Sequence, residues 1–543
     1  MCGIWSYISS QGFVSDNPAK YKQSKIDKLF SDFMKTKPRG PHFSNFQNYN
    51  NVLIGFHRLS IMDLSFASNQ PYVLCEDDRT IVFVCNGEIY NYNELDKKYD
   101  LNIGKSDCMT IPKLYLKLGN DEFNKLFEKK IKGEYAFLLF EFDKNNEIKY
   151  IIAGRDMIGI RPLYYSPSSN DIIFSSEIKS CGSFEGEITE FPPGTIIKFT
   201  KDEMTFSKEF YDFKYIYNII ENNISSENYN LHAIKIAVTN SIHRRLDSDQ
   251  PIAFLLSGGV DSSLVAAISQ ICYGKTIKTF CCGINGGSDL KYAKMVADYI
   301  ESDHTEVLFT SEEALAAIDD VIYTIESWDT TTIRASVGQY LVSKFISQNT
   351  DAKVLFVGEG PDEVCSSYLF NWYAPDPKMI HPTALEYVRE IHQFDVKRAD
   401  RCIARWGLEA RVALLDPQFI EAYWSLPSEL RHPKEKGIEK WWLRKAFDNC
   451  DLLPDEVLWR KKEAFSDGIS STEKSWFQII QEYIKLNYDM EEKDYYKMKF
   501  IEYFGEKRLN IIDHYWQPKW NKDGTEVSSY VDPSARTLDI YNI

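Results

Sequence analysis

A layered α+β half joined to a doubly wound α/β half is the fold class this sequence predicts, and three observations predict it. The chain is 543 residues long, well past the ~250–300 residues at which a single hydrophobic core stops growing. Its first two hundred residues carry short β-branched and aromatic runs bounded by Asn, Asp, Gly and Pro. Beyond Pro251, strand-like and helix-like stretches alternate. The expected division is 2–210 for the first domain, 211–230 for an Asn-, Ser- and Tyr-rich linker, and 231–543 for the second domain.

In the first half the expected strands are Asn51–His57, Thr80–Cys85, Tyr150–Ala153 and Asp171–Phe174, with a helix over Met109–Leu118. In the second, Pro251–Leu256 is an unbroken apolar run, as expected of a strand buried on both faces. A helix follows from Asp261, with Leu264, Val265, Ile268 and Ile271 on one face. Strands at Thr276–Cys282, His304–Leu308 and Lys353–Val357 then alternate with helices at Ser288–Ile300 and Ser311–Ile325. That order implies a parallel sheet with right-handed crossovers. From about Phe370 onward helices are expected to dominate.

Composition narrows the function. Apolar residues make up 44% of the chain and charged ones 26%, the balance of a folded globular protein. A net charge of −16 makes the chain a poor general binder of polyanions, so nucleic acid and anionic membrane are excluded as expected partners. Eleven cysteines without a Cys-x-x-Cys pair point to a reducing compartment. The start lacks a basic segment followed by an apolar one, and no apolar run reaches the ~20 residues of a membrane span. A cytoplasmic location is expected.

The second half opens on Ser257-Gly258-Gly259-Val260-Asp261-Ser262 between strand and helix. Two glycines let the backbone approach a ligand, and the first N–H groups of the helix point outward at its positive end. This is a phosphate cradle, distinct from the Walker loop and from Gly-x-Gly-x-x-Gly. Alone, it also reads as a turn before a helix capped by Asp261, which needs no ligand. The three short polar side chains at the end of a parallel strand favour the ligand.

At the other end of the chain, Cys2 follows Met1. With Met1 removed, thiol and α-amine would share one residue. An α-amine titrates near ~7.7–8.0 against ~10.4 for lysine, so it can serve as a general base at neutral pH. Asn86 and Gly87 follow an apolar strand and can offer a side-chain amide and a backbone N–H to an oxyanion. Arg58 suits a carboxylate, and Glu88 and Asp107 suit an ammonium, the charge set of an α-amino acid. Singly, Asn-Gly is more often a hairpin turn, and a lone charge is usually solvated.

Taken together, Met1–Ile4, Arg39-Gly40-Pro41, His57–Ile61, Asn86–Asn91 and Ser106-Asp107-Cys108 resemble the glutaminase domain of class II, N-terminal-nucleophile amidotransferases. The motif at Ser257, with Ser288–Lys291, Thr331–Ser336, Gly358–Gly360, Asp362-Glu363, Trp406–Arg411, Arg460–Glu463 and Phe465–Gly468, extends the resemblance to the glutamine-hydrolysing asparagine synthetase family. The motif of the second half is similar to that of the ATP pyrophosphatases. The resemblance implies an αββα N-terminal-nucleophile hydrolase fold for the first domain and an adenylating α/β domain for the second.

It implies site residues too. Cys2 would attack glutamine, with Asn86 and Gly87 as the oxyanion hole, and Arg58, Leu59, Ser60, Ile61, Met62, Asn86, Gly87, Glu88 and Asp107 would bind glutamine. Leu255, Ser257, Gly258, Gly259, Asp261, Ser262, Cys282, Val357 and Gly358 would bind ATP, with Mg2+ near Asp261. Arg334 and Lys462 would neutralise charge as pyrophosphate leaves, and Glu359 would attend the adenylated intermediate. The expected partners are glutamine, aspartate and ATP, with a homodimer left open, and ammonia is expected to pass between the sites through a channel. A ligase acting on another carboxylate and a non-synthesising nucleotide binder are the rival readings. Val357, Pro361, Ser366-Ser367 and His42 depart from the usual motifs. Pro361 lacks an N–H, and Ser366-Ser367 replaces two glycines, so an altered loop path and altered ATP affinity are expected.

Overall fold

The computed structural model describes residues 1–9, 21–76, 78–166, 171–202, 205–219, 221, 226–284, 287–462 and 474–532. Two compact units divide the chain. One comprises Met1–Tyr215 with Ala404–Glu409 and Phe504–Ile511; the other holds Ile216–Ile403, Ala410–Tyr503 and Ile512–Ile543. The segment 211–230 begins inside one strand and ends inside one helix, leaving a short 3-10 turn at Tyr215–Asn218 between them.

The first unit is built on β1 (Gly3–Ile8), β2 (Phe43–Tyr49), β3 (Val52–Arg58), β4 (Tyr72–Glu76), β5 (Arg79–Ile89), β6 (Gly133–Phe142), β7 (Ile148–Arg155), β8 (Tyr164–Tyr165), β9 (Ile172–Ser175), β10 (Thr189–Glu190), β11 (Thr195–Asp202) and β12 (Thr205–Asp212). They form two six-stranded sheets, ordered β10-β8-β9-β1-β3-β2 and β12-β11-β7-β6-β5-β4. Its main helices are α1 (Tyr21–Met34), α2 (Tyr92–Tyr99) and α3 (Thr110–Lys129).

Alternation along the strands builds the layers. Ile4, Ile8, Ile54 and Phe56 from one sheet pack with Val82, Val84, Leu138 and Phe140 from the other in a single core. The opposite faces are covered by helices. Phe33 of α1 stacks on His57 and meets Trp5, and Phe127 of α3 packs on Tyr135 and Phe137. Helix, sheet, sheet and helix follow one another, the layering expected of this half.

The second unit carries α4 (Glu227–Arg244), β13 (Ile252–Leu255), α5 (Val260–Tyr273), β14 (Lys278–Gly283), α6 (Ser288–Tyr299), β15 (Asp303–Leu308), α7 (Ser311–Ala316), α8 (Ile318–Ile325), α9 (Thr330–Asn349), β16 (Val354–Val357) and α10 (Pro361–Val364), with β17 (Glu409–Val412) as the last strand of its sheet. The order is β15-β14-β13-β16-β17, and β13 pairs in parallel with both β14 and β16. The chain winds from β13 outward to β15, then returns to β16 on the far side of β13. The switch point of the sheet therefore lies between the carboxyl ends of β13 and β16, where ligands bind in such folds.

Two helical expectations need correction. Leu264, Val265 and Ile268 of α5 are buried, but Ile271 is 68% exposed, because the last turn runs past the sheet it packs on. The helix expected over Ser311–Ile325 is two helices, α7 and α8, meeting at Ala317. Thr310 caps α7 with Glu313 in a reciprocal capping box. All eleven cysteines are free thiols. Among the described residues no helix is long and apolar enough to cross a membrane.

Candidate active site

In the first unit, β1 begins at Gly3, so Cys2 stands at the mouth of the two-sheet core and packs against it. Its thiol donates to the Leu59 carbonyl at 3.7 Å, and its own carbonyl accepts from Arg39 Nε at 2.9 Å. Burial pushes the Cys2 thiol up to about 11, against the pull of the neighbouring terminal amine. A thiol so placed needs a base to become a nucleophile.

Burial also lowers the terminal amine, here that of Met1, to about 5, although Glu409 acts to raise it. It donates to Leu408 O at 3.2 Å. Met1 Sδ faces Arg161 Nη1 at 2.6 Å and Arg39 Nη2 at 3.8 Å. These guanidiniums belong to ion pairs with Glu134 (3.0 Å) and Glu177 (2.8 Å), so a weakly accepting thioether is enclosed in a charged surround.

The oxyanion candidates lie where β5 runs beside β6. Asn86 is fully buried, and neither atom of its amide has a hydrogen-bond partner among the described residues, an expensive state for a buried amide unless a ligand completes it. Gly87 is obligatory on packing grounds, since a Cβ there would lie 2.2 Å from Glu134 O. Glu88 is buried. Asp107 accepts from the Ile89 N–H at 2.7 Å, and burial raises its carboxyl to about 6.

Arg58, Cys2 and Asp107 share one electrostatic neighbourhood. Arg58 acts on the Cys2 thiol, Glu409 acts on both Cys2 and Asp107, and Tyr72 feels both Arg58 and Asp107. The Arg58 guanidinium also braces its own loop, donating to Ser65 O at 2.8 Å, Asn69 Oδ1 at 2.7 Å and Met62 O at 3.3 Å. Leu59, Ser60 and Ile61 are buried along the same stretch. His42, in the place of an expected aspartate, accepts the Ser60 N–H at Nδ1 over 3.0 Å and so supports that stretch.

In the second unit the loops after β13 and β16 meet so closely that a Cβ on Gly358 would lie 2.9 Å from Ser262 N. A cavity opens there, lined among others by Leu255, Ser257, Gly259, Asp261, Ser262, Cys282, Gly358, Glu359 and Lys462. Gly258 and Val357 are not on its wall. Gly258 has φ +73 and sits against Tyr292, where a Cβ would meet backbone at 2.5 Å; it serves the turn. Ser257 and Ser262 hold the loop closed with an Oγ–Oγ contact of 3.1 Å and a bond from Ser257 N to Ser262 Oγ of 3.2 Å.

The charged floor is a cage. Lys440 Nζ lies 2.5 Å from Asp261 Oδ2 and 2.6 Å from Asp362 Oδ1, and Lys462 Nζ lies 2.6 Å from Asp362 Oδ2. Burial works against the charge of Asp362, but the two ammonium groups prevail and hold its carboxyl far below the usual range. Asp261 keeps Oδ1 without a partner among the described residues, and burial raises its carboxyl. Glu359, also raised by burial, accepts from Gln339 Nε2 at 3.0 Å and lies 3.6 Å from Arg398 Nη2.

Arg334, like Gly258 and Val357, is not brought to this wall. Its guanidinium is held by Glu492 at 2.5 and 2.9 Å and by Asp532 at 2.9 and 3.1 Å, and the two carboxylates take four of its five donors. The departures in the loop after β16 resolve simply. Pro361 is the first residue of α10, where an N–H would have no intrahelical acceptor. Ser366 adopts φ +54, a left-handed conformation costing ~1–3 kcal/mol in a non-glycine residue, and Ser367 donates to Asp362.

Lys440, Gln339 and Arg398 were not singled out by motif, and Glu409 lay inside the Trp406–Arg411 motif without a role assigned to it. Lys440 lies 78 residues beyond Asp362 (440 − 362), and no local pattern announces a contact between them. Gln339 gave no distinguishing signal, being one of several buried polar side chains of α9 together with Thr332, Ser336 and Ser343.

A half-buried thiol and a buried amide without a partner among the described residues in the first unit, and a crevice with an ion cage at a sheet's switch point in the second, are the features of an amidotransferase-type ligase. Residues 1–190 match the glutamine amidotransferase domain model, and residues 233–384 and 374–523 match that of asparagine synthase. The chain is 36% identical over 590 residues to the glutamine-hydrolyzing asparagine synthetase of Mus musculus, covering 100% of this chain and 99% of that one. It is 36% identical over 588 residues to that of Homo sapiens and 34% over 588 to that of Gallus gallus, with the same coverage. The chain belongs to the asparagine synthetase family.

Proposed function

We propose that this chain makes asparagine from aspartate, ATP and glutamine. The observation that carries the reading is the cavity at the switch point, where Asp261, Glu359 and Lys462 line one wall space with the Ser257 loop, in a chain matching glutamine-hydrolyzing asparagine synthetases along its full length.

In the first domain, of the N-terminal-nucleophile hydrolase class, removal of Met1 gives Cys2 its amine. The amine takes the thiol proton, the sulfur attacks the glutamine side-chain carbonyl, and the oxyanion is met by the Asn86 amide and a backbone N–H at Gly87. The proton passes to the leaving ammonia, and water then clears the glutamyl thioester. Asp107 and Glu88 hold the substrate ammonium.

In the second domain, the aspartate side-chain carboxylate attacks the α-phosphorus of ATP, and pyrophosphate leaves toward Lys440 and Lys462. Ammonia then attacks the β-aspartyl adenylate, displacing AMP, with Glu359 placed to accept a proton. Mg2+ fits the donor set, since Asp261 and Asp362 offer two carboxylates and Asp261 Oδ1 lacks a partner. A magnesium ion usually takes one or two carboxylates plus substrate phosphates, whose charge it neutralises. A cytoplasmic location and an ammonia channel belong to the same proposal.

The test is direct. Incubated with ATP, aspartate and ammonia, the protein is expected to release AMP, pyrophosphate and asparagine in equal amounts. ATP binding without AMP release would replace the reading by that of a nucleotide-binding homologue, which the sequestered Arg334 favours. Turnover without dependence on aspartate would point to another carboxylate.

A further inference from the structure

Gln339 lines the same cavity from α9, is 1% exposed, and divides its amide between two duties. Nε2 donates to Glu359 Oε1 at 3.0 Å. That bond orients the group, because a carboxylate accepts and the amide oxygen must then point elsewhere. Oε1 has no hydrogen-bond partner among the described residues. A buried acceptor left unmet is disfavoured unless an occupant of the cavity donates to it.

The surroundings indicate which donor. Cys282 donates its thiol to the Gly338 carbonyl at 3.5 Å, tying the turn that carries Gln339 to the end of β14. Val342, one helical turn on, lines the cavity with Leu255, Phe280 and Cys282. This is an apolar wall suited to a nucleoside. A cation in the cavity would be drawn to the Glu359 carboxylate or to the Asp261 and Asp362 pair rather than to a neutral amide. A neutral hydroxyl is matched by a neutral acceptor.

We infer that Gln339 is a sugar-selecting residue: its Oε1 accepts a hydrogen bond from a ribose hydroxyl of the bound nucleotide while its Nε2 holds Glu359. The inference rests on reading the cavity as the ATP site and adds a specificity determinant to it.

The test compares ATP with 2′-deoxy-ATP and 3′-deoxy-ATP, using wild type and Gln339→Met, a substitution of similar volume that removes the acceptor. Pyrophosphate release is followed with aspartate and ammonia. Wild type is expected to prefer ATP over one deoxynucleotide by about 10- to 100-fold in kcat/KM, because a site built to bond a hydroxyl penalises its absence. Gln339→Met is expected to bring that ratio near unity, mostly by lowering the use of ATP. No sugar preference in the wild type overturns the inference whatever the variant does. So does a preference that survives unchanged in Gln339→Met, or a rise confined to the KM for aspartate, which would assign Oε1 to the aspartate ammonium. Should the wild type bind ATP without turning it over, the synthetase reading fails separately. The same comparison is then made by equilibrium binding of the three nucleotides, with loss of the preference in Gln339→Met as the supporting result and its persistence as the overturning one.

Discussion

The two candidate sites solve opposite electrostatic problems. Around Asn86 the first unit leaves a buried, neutral amide with no partner among the described residues, and burial is the largest of the forces that drive the Cys2 thiol up to about 11 and the terminal amine down to about 5. Around Asp362 the second unit packs opposite charges within 2.6 Å, and the ammonium groups override burial. The difference suits the substrates proposed. A glutamine side-chain amide is neutral and develops charge only in the transition state, so its site rewards an unspent donor. A triphosphate arrives fully charged, so its site needs cations already held in place, with carboxylates keeping them from repelling one another.

The comparison breaks most clearly at Cys2. Cys2→Ala is expected to lower glutamine-dependent asparagine synthesis by about 10³-fold or more, the scale lost with a covalent nucleophile, and to leave ammonia-dependent synthesis unchanged. Loss of both activities in parallel assays would remove the division of labour. Asn86→Ala comes next. Deleting one oxyanion donor costs about 2.7–4 kcal/mol, so glutaminase kcat should fall by about 10²–10³ with little change in the KM for glutamine.

In the second unit the largest expected effect is on stability. Lys440→Met strands Asp261 and Asp362 without their shared cation, and stability in urea unfolding should drop by about 3 kcal/mol. That is the lower end for breaking a buried ion pair, since both carboxylates are partly exposed.

The smallest effect is a pH dependence. Asp107 sits at about 6, above its ordinary 3.8. Its contribution to folding is therefore fully present below about 3.8 and is lost as pH rises through about 6. Glutamine binding runs the other way, because the substrate ammonium needs the carboxylate. Between about pH 5 and pH 7 the KM for glutamine should fall by about tenfold as the carboxylate ionises, and Asp107→Asn should raise KM and flatten the profile.

Much of this was legible in sequence because it is local. The strand-turn-helix at Leu255–Ser263 announces itself in nine consecutive residues, and β14, β15 and β16 fall within two residues of where alternation placed them. Strands β2, β11 and β12 escaped notice. They mix Asn, Gln, Lys and Ser with their apolar residues, and pairing makes them strands, β2 to β3, β11 to β7 and β12 to β11. Ile271 misled because helical period says which residues share a face, but not how far the neighbouring surface extends.

The sequence by itself determined the thiol next to the chain start, the glycine loop between strand and helix, and the order of the motifs. Each is a property of adjacent residues, of a thiol beside an amine or of glycines between a strand and a helix. Tertiary structure alone decided which charges meet. Lys440 reached Asp261 and Asp362, Gln339 took hold of Glu359, and Arg334 went to Glu492 and Asp532. Coulomb and hydrogen-bond energies depend on distance in space, and residues 20 to 198 positions apart acquire that distance only when the chain folds.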